Sequence, residues 1–172
     1  MRYILFLSLP LFFIDQLTKY WIVSDFPAPD SAETQRVIEA IPGFFNIVRV
    51  HNTGMAFGRF NGAEHANLAF GAIAITALGA IFWLWKKGAF PGPGAKTAAA
   101  LLVSGILGNF TDRVLPGRGY VVDFLDFFVG AHHWPSFNVA DSCICVAAGL
   151  LFVSAFRGEE SARGAEPANE GP

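Results

Sequence analysis

The chain has 172 residues, 53% of them hydrophobic and only 15% charged. Its mean hydropathy is +0.42. Soluble domains carry roughly 25% charged residues, so this composition excludes that class, and the length suits a single domain. A net charge of -2 points to neither a nucleic-acid partner nor an acidic ligand. Cys143 and Cys145, two residues apart, point in different directions on a helix. They read as small buried apolar residues, not as zinc ligands or a disulfide.

Four apolar runs, about residues 3–23, 66–85, 97–115 and 139–156, each have the roughly 20 residues needed to cross the hydrocarbon as a helix. The first run, with Arg2 before it, resembles a signal peptide. However, no small-residue cleavage site follows, and Tyr20-Trp21 reads instead as an interfacial aromatic belt. The first outer loop, Asp25 to His65, contains the β-forming stretch Phe44–Val50 and a turn at Asn52-Thr53-Gly54. This predicts a small sheet over about residues 40–60. Gly88–Gly94 is a breaker-rich connection. Arg2, Lys86, Lys87, Lys96 and Arg157 all fall on one side of a four-span bundle, which should be the cytoplasm and should hold both termini. Residues 1–157 then form one domain, and residues 158–172 are expected to be a disordered cytoplasmic tail.

Charged side chains in hydrocarbon cost at least ~2.5 kcal/mol each, so they face a cavity or one another. At 1.5 Å per residue, Asp15 and Lys19 lie about 18 and 24 Å along the first span, and Asn109, Asp112 and Arg113 about 18–24 Å along the third. Asp141 sits in the first turn of the inward-running fourth span. All are placed in the outer half of the membrane. Asp15 and Lys19 share a helix face at i, i+4, as do Asn109, Asp112 and Arg113. Asp112 could pair with Arg113 or Lys19. Asp141 three residues after Asn138 also reads as helix capping. Asp123 and Asp126 in the second outer loop also read as solvated loop acids.

If Asp123 and Asp141 meet, about 3 Å apart, they would share a proton. One would activate a water and the other would protonate the carbonyl oxygen. Ser104 and Ser142 have no nearby His, and His132-His133 lacks a third ligand at metal-binding spacing.

The blocks Asp15-Gln-Leu-Thr-Lys19, Asn52-Thr-Gly-Met-Ala-Phe-Gly58, Gly108-Asn-Phe-Thr-Asp-Arg113, Val121-Val-Asp-Phe124 and Phe137-Asn-Val-Ala-Asp141 run in order along the chain. Together they resemble the lipoprotein signal peptidase (signal peptidase II) family of aspartic peptidases. That resemblance implies an all-α membrane protein: four transmembrane helices with a small periplasmic β-sheet, or cradle, from the first outer loop, in the bacterial inner membrane. It implies Asp123 and Asp141 as catalytic dyad. It implies Asn52, Gly54, Asn109, Arg113, Asn138 and Ala140 as residues lining or supporting the substrate site, and Asp15, Lys19 and Asp112 as a structural polar set. It further implies a diacylglyceryl-prolipoprotein substrate cut before the lipidated cysteine, inhibition by globomycin, and no metal or organic cofactor. Two other readings stay open. A proton-coupled transporter or channel subunit would place acids at the midplane, and a non-enzymatic assembly factor would hold purely structural ion pairs.

Overall fold

The structure, a computed structural model, describes residues 2–54 and 63–164. A π-helical turn, Ile4–Ser8, runs directly into helix α1, Leu9–Asp25. Helices α2 (Ala63–Lys86), α3 (Pro93–Val114) and α4 (Val139–Gly164) complete the bundle. The helix ends follow local chemistry. Phe26 and Leu115 precede prolines and are extended, which stops α1 and α3. At the end of α2, Gly88 adopts φ +73°, and the N–H groups of Gly88 and Ala89 return to Trp85 O and Leu84 O in a Schellman motif. Pro93 opens α3 at a position where its missing N–H costs nothing.

Strands β1 (Ile38–Ile41), β2 (Phe45–Asn52), β3 (Val121–Val129) and β4 (His132–His133) form one antiparallel sheet in the order β1-β2-β3-β4. This corrects the expectation of a sheet made from the first outer loop. Half of its strands come from the second. The run Val-Val-Asp-Phe-Leu-Asp-Phe-Phe-Val at 121–129 is rich in β-formers, and it pairs with β2 through Asn46 opposite Asp126 and Val50 opposite Asp123. Asp123 is therefore not a solvated loop acid but a strand residue, 2% exposed. The helix expected to end near Phe156 continues to Gly164. Adding residues to an existing helix avoids the cost of nucleation. The rest of the expected disordered tail, residues 165–172, lies outside the described residues. Cys143 is buried, but Cys145 is exposed on the bundle surface, against the reading of both as core.

Two apolar clusters hold the elements together. Ile22 and Phe26 of α1 pack on Val122 and Phe124 of β3, tying the end of the first helix to the sheet. Ala98 and Leu101 of α3 pack on Cys143 and Ala147 of α4. Outside these clusters the usual pattern is inverted. The buried stripe of α1 is Ser8, Asp15, Lys19 and Ile22, whereas Phe6 is 73% exposed and Leu68 69%. Among the described residues, one helical segment, Asn67–Lys86, is long and apolar enough to cross a membrane by length and composition alone, and Val139–Ser154 is a shorter apolar stretch. The ionic residues inside α1 and α3 lower their hydropathy.

Candidate active site

Asp123 and Asp141 come to share one partner, Asn138, because the segment before α4 is stitched to β3. Phe137 O accepts the N–H groups of Phe124 (3.0 Å) and Leu125 (2.9 Å), and Phe137 N–H donates to Leu125 O at 3.2 Å. The Phe127 ring lies between those of Phe45 and Phe137, with centroids 4.4 and 5.7 Å away. This seam sets Asn138, fully buried, beside Asp123.

Asn138 is the N-cap of α4, and its side chain links both acids. Its Nδ2 donates to Asp123 Oδ1 at 2.7 Å, and its Oδ1 accepts Asp141 N–H at 2.9 Å. In return, Asn138 N–H donates to Asp141 Oδ2 at 3.3 Å, a reciprocal capping arrangement. Asp141 Oδ1 takes Asn109 Nδ2 at 2.7 Å, and Asp123 Oδ2 takes Asn52 Nδ2 at 2.9 Å. Asn52 is oriented in turn by Gly54 N–H at 2.9 Å. Gly54 has φ +75°, and a Cβ there would strike the Phe70 ring, so glycine suits this turn on both counts. Met55–Gly58, the remainder of that block, lie outside the described residues.

Electrostatics set the acids apart. Burial pushes the Asp123 carboxyl up to about 6, against the amide donors of Asn52 and Asn138, and the charge of Asp141 adds to the rise. Asp141 sits where the N-terminal dipole of α4 favours an anion. His51, next to Asn52, is held down to about 4 by burial and by Arg49. Arg49 Nε donates to its Nε2 at 3.0 Å, and the ring stacks on Tyr120 at 3.6 Å. This histidine is neutral at physiological pH.

Behind the acids lies a buried ionic knot. Lys19 Nζ is 2.9 Å from both Asp15 Oδ2 and Asp112 Oδ2. Asp15 Oδ1 accepts Ala140 N–H at 2.9 Å, and Asp112 also accepts Arg118 Nη1 (2.7 Å) and Val122 N–H (3.2 Å). The knot therefore ties α1 to α3, α4 and β3. The sequence offered Arg113 or Lys19 as partner for Asp112; the structure pairs it with Lys19 and with Arg118, which spacing had not singled out. Arg113 instead donates to Asn67 Oδ1 at 3.1 Å and lies over the Phe70 ring at 4.2 Å. It remains within electrostatic reach of Asp123 and Asp141. Asn67 was also missed, being a single polar residue at the start of an apolar run. Asp126 stands apart, bonded to His133 Nδ1 at 2.8 Å and Asn46 Nδ2 at 3.3 Å.

Two openings reach this centre. A cleft of about 450 Å³ on the sheet side is lined by Asp123, Asn52, Gly54, His51 and Ser136 among others. A smaller apolar groove of about 150 Å³ between α2 and α3, with Phe70, Ile73 and Phe110 in its wall, reaches Asn109 and Arg113. Ala140, 1% exposed, faces neither opening and packs behind the acids. Asn138, equally buried, acts on them through hydrogen bonds.

Residues 7–157 match the sequence profile of the family described as signal peptidase (SPase) II. Relatives include the lipoprotein signal peptidase of Alteromonas mediterranea, 37% identical over 89% of this chain and 80% of its own. Those of Symbiobacterium thermophilum and Oleidesulfovibrio alaskensis are each 40% identical. They cover 81% and 84% of this chain and 85% and 88% of their own. Two solved bacterial membrane enzymes, determined by the in meso method at 2.3 and 1.9 Å resolution, superpose with a TM-score of 0.76 each. They are 30% and 33% identical, covering 98% and 88% of this chain and 93% and 91% of theirs.

Proposed function

The chain belongs to the signal peptidase II family, and from that premise we propose that Asp123 and Asp141 are its catalytic dyad. Membership makes it a membrane-bound aspartic peptidase that removes signal peptides from prolipoproteins, and leaves the transporter reading without support. The observation that carries the dyad is the single Asn138 side chain joined to both acids, 2.7 Å from the carboxyl of Asp123 and 2.9 Å from the main-chain N–H of Asp141.

The division of labour follows from their surroundings. Asp123, pushed up to about 6, retains a proton more readily than an exposed carboxyl. Asp141, at the head of α4 with donors from Asn109 and Asn138, is suited to carry the negative charge. Asp141, ionised in the ground state, draws a proton from a water as the water oxygen attacks the scissile carbonyl carbon, and Asp123 donates its proton to the carbonyl oxygen. The resulting tetrahedral diol collapses as Asp141 passes its proton to the amide nitrogen, Asp123 takes one back from a diol hydroxyl and the C–N bond breaks, which restores both acids. Arg113 offsets the combined negative charge.

The openings suit a substrate that is part peptide and part lipid. The peptide would lie along the cleft by Asn52 and Gly54. The diacylglyceryl chains would enter beside the groove between α2 and α3 near Asn109 and Arg113 and extend into the surrounding lipid, which suits a cut before the lipidated cysteine. Asn138 and Ala140 would support this site from behind, and Asp15, Lys19 and Asp112 would hold the helices together. All four helices would span the inner membrane, with both termini cytoplasmic and the sheet as a periplasmic cradle. The exposed apolar faces and buried ion pairs support that placement. A cyclic peptide such as globomycin would compete in the same cleft.

The test is processing of a diacylglyceryl-modified prolipoprotein by purified enzyme in lipid. Asp123→Asn and Asp141→Asn are each expected to fold and to lose cleavage by at least 10³-fold, as removal of an essential acid or base removes its whole contribution. Near-normal cleavage by either variant would refute the dyad.

A further inference from the structure

Lys19 touches neither acid, yet its geometry dictates which way their partners face. An ammonium has three hydrogens and no acceptor. All three are used: Asp15 Oδ2 and Asp112 Oδ2 at 2.9 Å, and Asn109 Oδ1 at 3.0 Å. Because Lys19 only donates, Asn109 must turn its oxygen toward Lys19 and its nitrogen away. That nitrogen meets Asp141 Oδ1 at 2.7 Å. The same Asn109 oxygen accepts Nδ2 of Asn138 at 3.2 Å, a second amide whose own flip is set by the main chain, through Val122 O at 3.3 Å and Asp141 N–H at 2.9 Å. Asn138 then presents its nitrogen to Asp123 at 2.7 Å and its oxygen to the N–H of Asp141.

We propose that Lys19 is a positioning residue for the reaction: by holding the oxygen of Asn109, it fixes the flip of that amide so that Asp141 faces an N–H donor. The proposal rests on Asp123 and Asp141 being the dyad. Without Lys19, Asn109 could present its oxygen to Asp141, setting two acceptors against each other and disfavouring ionisation. The charged groups around the acids are Asp15 and Lys19 from α1, Asp112 and Arg113 from α3, and Asp123 and Asp141 themselves. Removing Asp15 and Lys19 charges together leaves the net charge unchanged, and since the charge of Lys19 itself lowers Asp123, it is the difference between two variants that both lack it that reports amide orientation.

The experiment is the pH profile of kcat/KM on lipidated substrate for Asp15→Asn/Lys19→Met and Asp15→Asn/Lys19→Gln. Folding is followed by thermal unfolding in micelles. In the methionine variant the acid limb is expected to move up by about one pH unit, the scale of one lost hydrogen bond to an ionised group. Activity would fall about 10-fold at pH values below the limb and hardly at all above it. In the glutamine variant, whose amide can still donate to Asn109, the limb is expected to stay at its wild-type position. A methionine variant that folds and loses activity equally at every pH, or keeps the wild-type limb, would overturn the proposal. If the methionine variant does not fold, Asp15→Asn/Lys19→Leu takes its place, with the same upward limb expected and an unmoved one overturning the proposal. Asp123→Asn and Asp141→Asn run in the same assay: cleavage by either sinks the dyad reading, whereas their inactivity beside an unmoved limb sinks only the role of Lys19.

Discussion

Asp123 accepts two amide donors, and burial still pushes it up to about 6. An unfolded aspartate titrates near ~3.9, so the folded state binds the extra proton between those values. The contribution of this group to stability is fully present below about pH 4 and is lost as pH rises through about 6. The Tm of wild type minus that of Asp123→Asn is therefore expected to fall between pH 4 and pH 8. Thermal unfolding in micelles measures it, and a flat difference would contradict the burial argument. Asp126 provides the contrast. It lies three residues along the same strand, but its partners are His133 and Asn46, outside the network joining Asp123 to Asp141. Asp126→Asn is expected to retain cleavage within about 10-fold, since a partly exposed pair contributes at most ~1 kcal/mol. Complete inactivity would identify Asp126 as a closer participant than its contacts indicate.

At the scale of elements, α3 is the hub, and small residues make it so. A Cβ on Gly108 would sit 2.6 Å from Asp15 Oδ2 and 2.9 Å from Ala140 Cβ, and one on Gly105 would collide with Ala140 O. Glycine at 108 thus lets the Asp15 carboxylate pass between helices to the Ala140 N–H. Gly108→Ala is expected to destabilise by ~1–3 kcal/mol, because the carboxylate it displaces is held by Lys19 and cannot move freely. Gly79→Ala, inside α2 with nothing within 4 Å, should be neutral or slightly stabilising; equal loss of Tm in both would count against close packing as the cause. Much of this was legible beforehand. Apolar runs located the helices to within a few residues at most ends, and i, i+4 spacing placed Asp15 and Lys19 on one face. Less visible was what depends on long-range pairing. The β-formers of 121–129 became a strand only against β2, so Asp123 looked like a loop acid. Arg113 seemed a partner for its neighbour Asp112 until Asn67 and Phe70, some 45 residues away in sequence, claimed it.

Among the described residues, charged side chains are buried between the helices while many large apolar ones face outward, the reverse of a water-soluble protein. Buried Asp15, Lys19 and Asp112 contrast with outward Phe13, Leu17, Ile73, Ile75 and Phe82. In water that surface would aggregate, while in lipid it costs nothing and the ionic knot is shielded. Lys86 and Lys87 close α2 at the end away from the sheet, matching the bias of cations toward the cytoplasm. The sheet end, with Trp134 and Val129 exposed, would then meet the periplasmic interface, where the dyad could reach a lipid-anchored peptide without drawing its acyl chains into water. This topology is testable with single cysteines on a Cys143→Ala/Cys145→Ala background. In cells with a permeabilised outer membrane, a membrane-impermeant maleimide is expected to label Gly130→Cys, at the β3–β4 turn, and to spare Gly92→Cys, before α3, until the inner membrane is opened. The reverse pattern would put the acids on the cytoplasmic side, where no lipid-modified substrate awaits cleavage, and labelling of both from outside would break the four-span arrangement.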